Sequence, residues 1–171
     1  RVDFALHIAE RNNGQFGIFF LDLDRFKTIN DSMGHAFGDR VLIEVAQRIK
    51  QRLRDVDTLC RLGGDEFALF LDGVDERGAE IAARRILDAL ALPFKVDEMS
   101  FSVGASIGIA LFPQDGRSLD TLIKCADTAM YQVKEQGRGS FRLYQPQMNA
   151  DILSRMKMEH ALRQALQLGR F

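Results

Sequence analysis

The chain has 171 residues, 46% of them hydrophobic, with 23 lysines and arginines against 24 aspartates and glutamates. That length supports one domain with a substantial core and is short for two, and the formal net charge of -1 gives no overall electrostatic drive toward DNA, RNA or an anionic membrane. No run approaches the roughly 18 apolar residues of a membrane helix, the opening RVDFALHIAERN lacks signal-peptide architecture, and Cys60 and Cys125 stand outside any CxxC spacing, all of which predicts a cytoplasmic domain with reduced, buried thiols.

In chain order, RVDFALHIAERN reads as a helix. GIFFLDLD, residues 17–24, is a continuous apolar run that ends in alternating acids, the pattern of a buried strand emerging at a sheet edge. AFGDRVLIEVAQRIKQRL carries Val41, Leu42, Val45, Ile49 and Leu53 at helical spacing. Two extended runs flank the glycines and acids of CRLGGDEFALF and predict a hairpin. DERGAEIAARRILDALALP is helical up to Pro93, which lacks an N–H donor and disfavours helix in the residue before it. MSFSVGASIGIALFP, rich in β-branched residues, predicts one strand of a half-covered sheet. SLDTLIKCADTAMYQVKEQGRG places Leu122, Ile123, Ala126, Met130 and Val133 on one helix face and stops at Gly137. FRLY closes the core as a last strand. The expected fold is α+β, a five-stranded, mostly antiparallel sheet flanked by helices, over residues 1–146. The segment 147–171 follows the QPQ break and predicts a helical connector to a further C-terminal domain.

The acids of this order come from separate places. Asp65 and Glu66 occupy a tight turn, and Asp22 and Asp24 lie where another strand runs out. Carboxylates gathered at one rim repel one another unless a cation neutralises them, and hard oxygen ligands select Mg²⁺ or Mn²⁺. Two such ions can clamp a triphosphate and activate an attacking hydroxyl. Gly63 and Gly64, without a Cβ, let the backbone take positive φ and let a phosphate or ribose approach. The same GGDE letters also suit a solvated hairpin turn. No GxxxxGK[ST] loop occurs, which argues against a P-loop nucleotide site.

Three separated blocks, FLDLDRFKTINDSMGHAFGDRVL, RDVDTLCRLGGDEF and ADTAMYQVKEQGRG, resemble the GGDEF-domain diguanylate cyclases in order and spacing, from Phe4 to Tyr144. The resemblance implies a fold related to nucleotidyl cyclases and polymerase palm domains, with a ferredoxin-like core, and condensation of two GTP into cyclic di-GMP and pyrophosphate. It further implies that Asp22, the Leu23 carbonyl and Asp65 hold metal, two ions per half-site, that Asp65 is the general base, and that Glu66 and Lys27 complete the catalytic set. Asn30 and Asp39 match residues that bind guanine, where aspartate can accept from N1 and N2 and asparagine offers both donor and acceptor. Lys27, Lys134 and Arg138 match triphosphate contacts. His35 matches a motif histidine read as structural, and Phe26 as packing.

Plainer readings exist for each. Lys134 and Arg138 near a helix end offset its macrodipole, and Asn30 and Asp39 suit a turn and a first helical turn. His7 and His160 have no partners by spacing and read as ordinary helix residues. Arg54 and Asp57, in RDVD, match the family's RxxD product-inhibition site, with Arg85 as a helper.

Two facing GTP molecules require a two-fold dimer. Arg1 matches the last residue of the family's opening DxLTGLxNR stretch. The resemblance therefore implies an N-terminal sensory domain, in which any membrane anchor would lie, and the 147–171 segment an EAL phosphodiesterase domain. The rival expectation is a GTP-binding regulatory module without turnover.

Overall fold

The computed structural model describes residues 14–167; the helix expected at the start, with Arg1 and His7, lies outside them. In chain order the elements are β1 (Phe16–Asp24), α1 (Phe26–Met33), α2 (His35–Lys50), β2 (Thr58–Gly63), β3 (Glu66–Asp72), α3 (Glu76–Ala91), β4 (Phe94–Val96), β5 (Met99–Phe101), β6 (Gly104–Phe112), α4 (Leu119–Glu135), β7 (Phe141–Leu143) and α5 (Gln147–Gln167). Five strands form one sheet in the order β2-β3-β1-β6-β7, and β4 and β5 form a separate hairpin.

The apolar run of β1 explains its place. It is buried almost throughout because it is the central strand, with β3 and β6 antiparallel on its two sides. Alternation along the strand sends Phe19, Leu21 and Leu23 to one face, into a core with Phe37, Val41, Val45 and Ile49 of α2 and Ala83, Ile86 and Leu90 of α3. Phe16, Ile18 and Phe20 go to the other face and pack with Leu122, Ala126 and Met130 of α4. The domain is thus a sheet between α2–α3 and α4, with Phe26 of α1 joining the first core. Asp22 and Asp24 continue the even-numbered series, so periodicity alone aims them at the α4 side.

Several expectations need correction. The sheet is mixed rather than mostly antiparallel, because β7 returns from α4 and pairs parallel to β6; a helix crossover lets a following strand run parallel, which a hairpin cannot. β1 is a central strand, so its acids emerge at the end of the sheet and not at a lateral edge. β6 is buried from Ala105 to Phe112, covered on both faces rather than one, and Met99–Phe101 belongs to the small hairpin. Ile123 is exposed. Cys125 is buried as expected, but Cys60 is exposed, because β2 is the outermost strand with a neighbour on one side only. The helix α1 was not anticipated. Phe26, Ile29 and Met33 do carry a helical spacing, but the segment is eight residues long, too short for a clear period.

Candidate active site

The hairpin tip forms because Gly63 and Gly64 take φ of 146° and 49°, values that suit glycine. The two-residue turn Gly64–Asp65 is closed by Gly63 opposite Glu66, and Arg61 Nε donates to the Gly64 carbonyl at 3.0 Å. The turn is fastened to the end of the central strand, since the Leu23 N–H donates to the Asp65 carbonyl at 3.2 Å and Asp22 stands opposite Glu66 in register. Asp65 and Glu66 are half-buried, and Leu23 is buried in the core by its side chain. Two stretches more than forty residues apart in sequence therefore meet at one rim of the sheet.

Asp22 is 5% exposed. Its Oδ2 accepts from Lys134 Nζ, which arrives from the last turn of α4. Its Oδ1 is buried without a hydrogen-bond partner. Burial raises the Asp22 carboxyl above its ordinary value, Lys134 pulls it back, and the neighbouring Asp65 carboxyl raises it again. A buried acceptor lone pair facing a second carboxylate is the electrostatic condition a hard divalent cation relieves. The donor set fits Mg²⁺ or Mn²⁺ in that sense, although no cluster of three or more acidic, cysteine or histidine side chains gathers among the described residues.

The remaining predicted residues lie on α1, on α2 and in the loop after α4. Lys27 and Asp39 are exposed, on α1 and α2, and Asn30 is half-buried on α1. Asn30 rests against α2 at Gly38, where a Cβ would lie 1.9 Å from Asn30 Oδ1. The glycine thus makes the room in which the asparagine sits next to the residue preceding Asp39. His35 is exposed at the start of α2. Arg138 is exposed in the loop after α4, at φ 66°. It lines a cleft of about 420 Å³ with Arg25 and Thr28.

Arg54 and Asp57 lie together as predicted, but they are closed on each other. Arg54 Nη2 donates to Asp57 Oδ1 at 2.9 Å and to the Asp72 carbonyl, and the Asp57 carboxylate also accepts the Asp72 N–H at 3.3 Å. Arg85 is not brought to this pair within either cleft; it lines one with Arg52 and Asp88, whereas Arg54 and Asp57 line another with Arg61.

Sequence reasoning passed over three participants. Ser106 is fully buried and donates to Asp24 Oδ1 at 2.7 Å; it stands opposite Asp22 in the β1–β6 register, a pairing no local pattern announces. Asp127 on α4 is raised by burial, lowered by Lys134 and raised by Asp22, which places its charge in the same field. It was legible as the acid of the ADTAMY block. Gly108 lets α4 approach β6, and its signal was the alternation of small and large residues along that strand.

The fold and site thus bring a hairpin-borne acid beside a strand-end acid, on a sheet with a helix crossover behind it. The chain belongs to the GGDEF family: the family model described as "Diguanylate cyclase, GGDEF domain" matches residues 1–140. It is 40% identical over 167 residues to the bifunctional diguanylate cyclase/cyclic di-GMP phosphodiesterase MucR of Pseudomonas aeruginosa, a match covering 98% of this chain and 24% of MucR. The GGDEF domain of TpbB from Pseudomonas aeruginosa superposes with a TM-score of 0.87 at 39% identity, over 90% of both chains. The GGDEF domain of DgcB from Caulobacter crescentus, solved in complex with c-di-GMP, gives 0.75 at 26% identity, over 82% of this chain and 84% of that one.

Proposed function

We propose that this domain is a diguanylate cyclase that joins two GTP molecules into cyclic di-GMP through two phosphodiester bonds and releases two pyrophosphates. The observation that carries the reading is the buried, half-satisfied Asp22 carboxylate held against Asp65. Asp22, Asp65 and the Leu23 carbonyl would hold two Mg²⁺ or Mn²⁺ ions, which supply charge neutralisation on the triphosphate and a more acidic 3′-hydroxyl. Asp65 takes the 3′-hydroxyl proton as the oxygen bonds to the α-phosphorus of a second GTP and the bond to pyrophosphate breaks. Glu66 completes the acidic pair. Lys27, Lys134 and Arg138 would hold the triphosphate, Lys134 being free to exchange its contact with Asp22 for phosphate oxygens. Asn30 and Asp39 read the guanine edge, and an adenine would leave both unpaired.

Each domain binds one GTP, so the reaction runs across a two-fold dimer, with a sensory segment upstream and an EAL domain downstream in the full protein. Incubation of nucleotide-stripped domain at high concentration with GTP and Mg²⁺, assayed by mass, is expected to yield cyclic di-GMP. Asp65→Ala is expected to lower the yield by about 10² to 10⁴-fold. Undiminished product in that variant would remove Asp65 from the reaction. GTP binding without product, even after fusion of a dimerising segment, would instead make the domain a regulatory module.

Gly38→Ala tests the guanine pocket separately. The main clash falls on the Asn30 side chain, which can swing away, with a smaller one on the Phe26 ring at 3.2 Å, while alanine in a helix interior is favoured over glycine by up to about 1 kcal/mol. The variant is expected to keep or gain thermal stability and to lose about tenfold in GTP affinity; unchanged affinity by calorimetry would take Asn30 out of the pocket. The RDVD turn is proposed to bind cyclic di-GMP once Arg54 exchanges its contacts with Asp57 and the Asp72 carbonyl for a phosphate or guanine edge. Arg54→Ala is expected to weaken that binding by at least tenfold in a calorimetric titration, and an unaltered isotherm would refute the assignment.

A further inference from the structure

Asp24 ends β1 two residues beyond Asp22 and points to the same side of the sheet, yet it takes no part in the acidic pair. Its Oδ1 accepts from the hydroxyl of fully buried Ser106 at 2.7 Å, and its Oδ2 accepts the backbone N–H of Gly139 at 2.9 Å. One carboxylate thereby joins the end of β1, the neighbouring strand β6 and the loop that leaves α4. Gly104, opposite Asp24 in the register, keeps this space open, since a Cβ there would lie 3.1 Å from Oδ2.

The loop it holds is unusual. Gly137, Arg138 and Gly139 take φ of 114°, 66° and 65° in succession, and Arg138 is not a glycine. A side chain in the left-handed region persists when surrounding contacts over-determine it. Upstream, the Arg138 N–H donates to the Val133 carbonyl at 2.9 Å and closes the helix end. Downstream, the Ser140 carbonyl accepts from Ile107 N–H at 3.0 Å and starts the parallel pairing of β7. Between these anchors, Asp24 accepts the one N–H that follows Arg138, and both line the same cleft.

We propose that Asp24 is a positioning residue for nucleotide binding, a carboxylate clip that fixes the Gly137–Gly139 loop and so sets the reach of Arg138 toward the triphosphate. This rests on the GTP reading above. The role needs two acceptor contacts and no negative charge, which separates it from a metal ligand or a base. Asparagine can meet the geometry, with its oxygen accepting from Gly139 and its amide donating to a re-oriented Ser106 hydroxyl. Alanine cannot.

The test compares Asp24→Ala and Asp24→Asn, both checked for folding by thermal melts. In the domain without nucleotide, hydrogen exchange at the Gly139 amide is expected to speed up at least tenfold in Asp24→Ala and to stay near wild type in Asp24→Asn. With GTP and Mg²⁺, KM is expected to rise about 10 to 100-fold in Asp24→Ala, the scale of a misplaced binding group, and to stay within about threefold in Asp24→Asn. Mn²⁺ affinity, read by electron paramagnetic resonance, is expected to be the same in all three proteins. In a double-mutant cycle with Arg138→Ala, the Asp24→Ala effect on KM is expected to shrink to about twofold, since the two act through one contact chain. Weaker Mn²⁺ binding in Asp24→Asn would make Asp24 a metal ligand and overturn the proposal, as would full additivity with Arg138→Ala or an unaltered Gly139 exchange rate. Should Asp24→Ala fail to fold, Ser106→Ala, which removes one arm of the clip, is expected to raise Gly139 exchange in the same sense, and an unchanged rate there would equally overturn it. If the wild type binds no GTP, the cyclase reading fails by itself, and the amide exchange still decides whether Asp24 holds the loop.

Discussion

Asp22→Asn is expected to abolish Mn²⁺ binding and cyclic di-GMP formation, the latter by at least about 10³-fold, while raising the melting temperature of the metal-free domain. The two effects have one cause. Burial and the adjacent Asp65 push the Asp22 carboxyl above its ordinary value of 3.8 by more than Lys134 lowers it. The folded protein then holds that proton more tightly than the unfolded chain, so stability falls as pH rises from about the ordinary carboxylate value through the folded one. Above that interval the ionised side chain is a net cost, which a neutral isostere avoids. A gain of about 2–4 °C at neutral pH corresponds to about 1 kcal/mol in a domain of this size. The gain should vanish at a pH below the unfolded value, where aspartic acid and asparagine are both neutral. A lower melting temperature at neutral pH would mean that the Lys134 ion pair dominates and that Asp22 is held for stability. Such a trade of stability for a charged site is common where function needs repulsive groups together.

Gly108→Ala is expected to be among the most damaging single-methyl changes in this domain. The new Cβ would lie 2.0 Å from the Ala126 carbonyl oxygen and 2.2 Å from the Met130 nitrogen, both backbone atoms of α4. A rigid helix cannot swing aside as a side chain can, so relief requires α4 to move off β6 or β6 to bend. Overpacking of this kind costs about 3 kcal/mol or more, which lowers the melting temperature by about 6–12 °C. Lys134 lies one turn beyond Met130, so the same displacement should pull its ammonium from the site and reduce GTP affinity in whatever fraction remains folded. A melting temperature within about 2 °C of wild type would show that α4 is held less tightly than its buried face implies.

Much of the chemistry was legible before any tertiary contact. The apolar run of β1, the glycines of the hairpin turn and the helical spacing in α2, α3 and α4 are local patterns, and local patterns express steric and burial preferences of neighbouring residues. Asp22 and Asp65 stood out as acids at a strand end and a turn, whereas Lys134 and Arg138 could be named only through the family resemblance, since by position alone they suit a helix end. The course of β7 could not be read, since a three-residue strand carries no sign of the direction in which it will pair. Cys60 was misjudged for a similar reason: an apolar neighbourhood says that a strand is covered, and only the strand order says which strand lies outermost.

What the amino-acid sequence determined by itself was the type of the longer elements, the hairpin turn around Gly63 and Gly64, and which charged groups stand at strand and helix ends. Only the tertiary structure decided which partners each acid meets. Asp22 and Asp24 are two residues apart on one strand and face the same way, and nothing local tells them apart. Asp22 is left with a lone pair unsatisfied against Asp65, and Asp24 is fully engaged by Ser106 and Gly139. That distinction is made by partners drawn from β6, α4 and the loop beyond, brought together by burial of the sheet faces more than eighty residues along the chain.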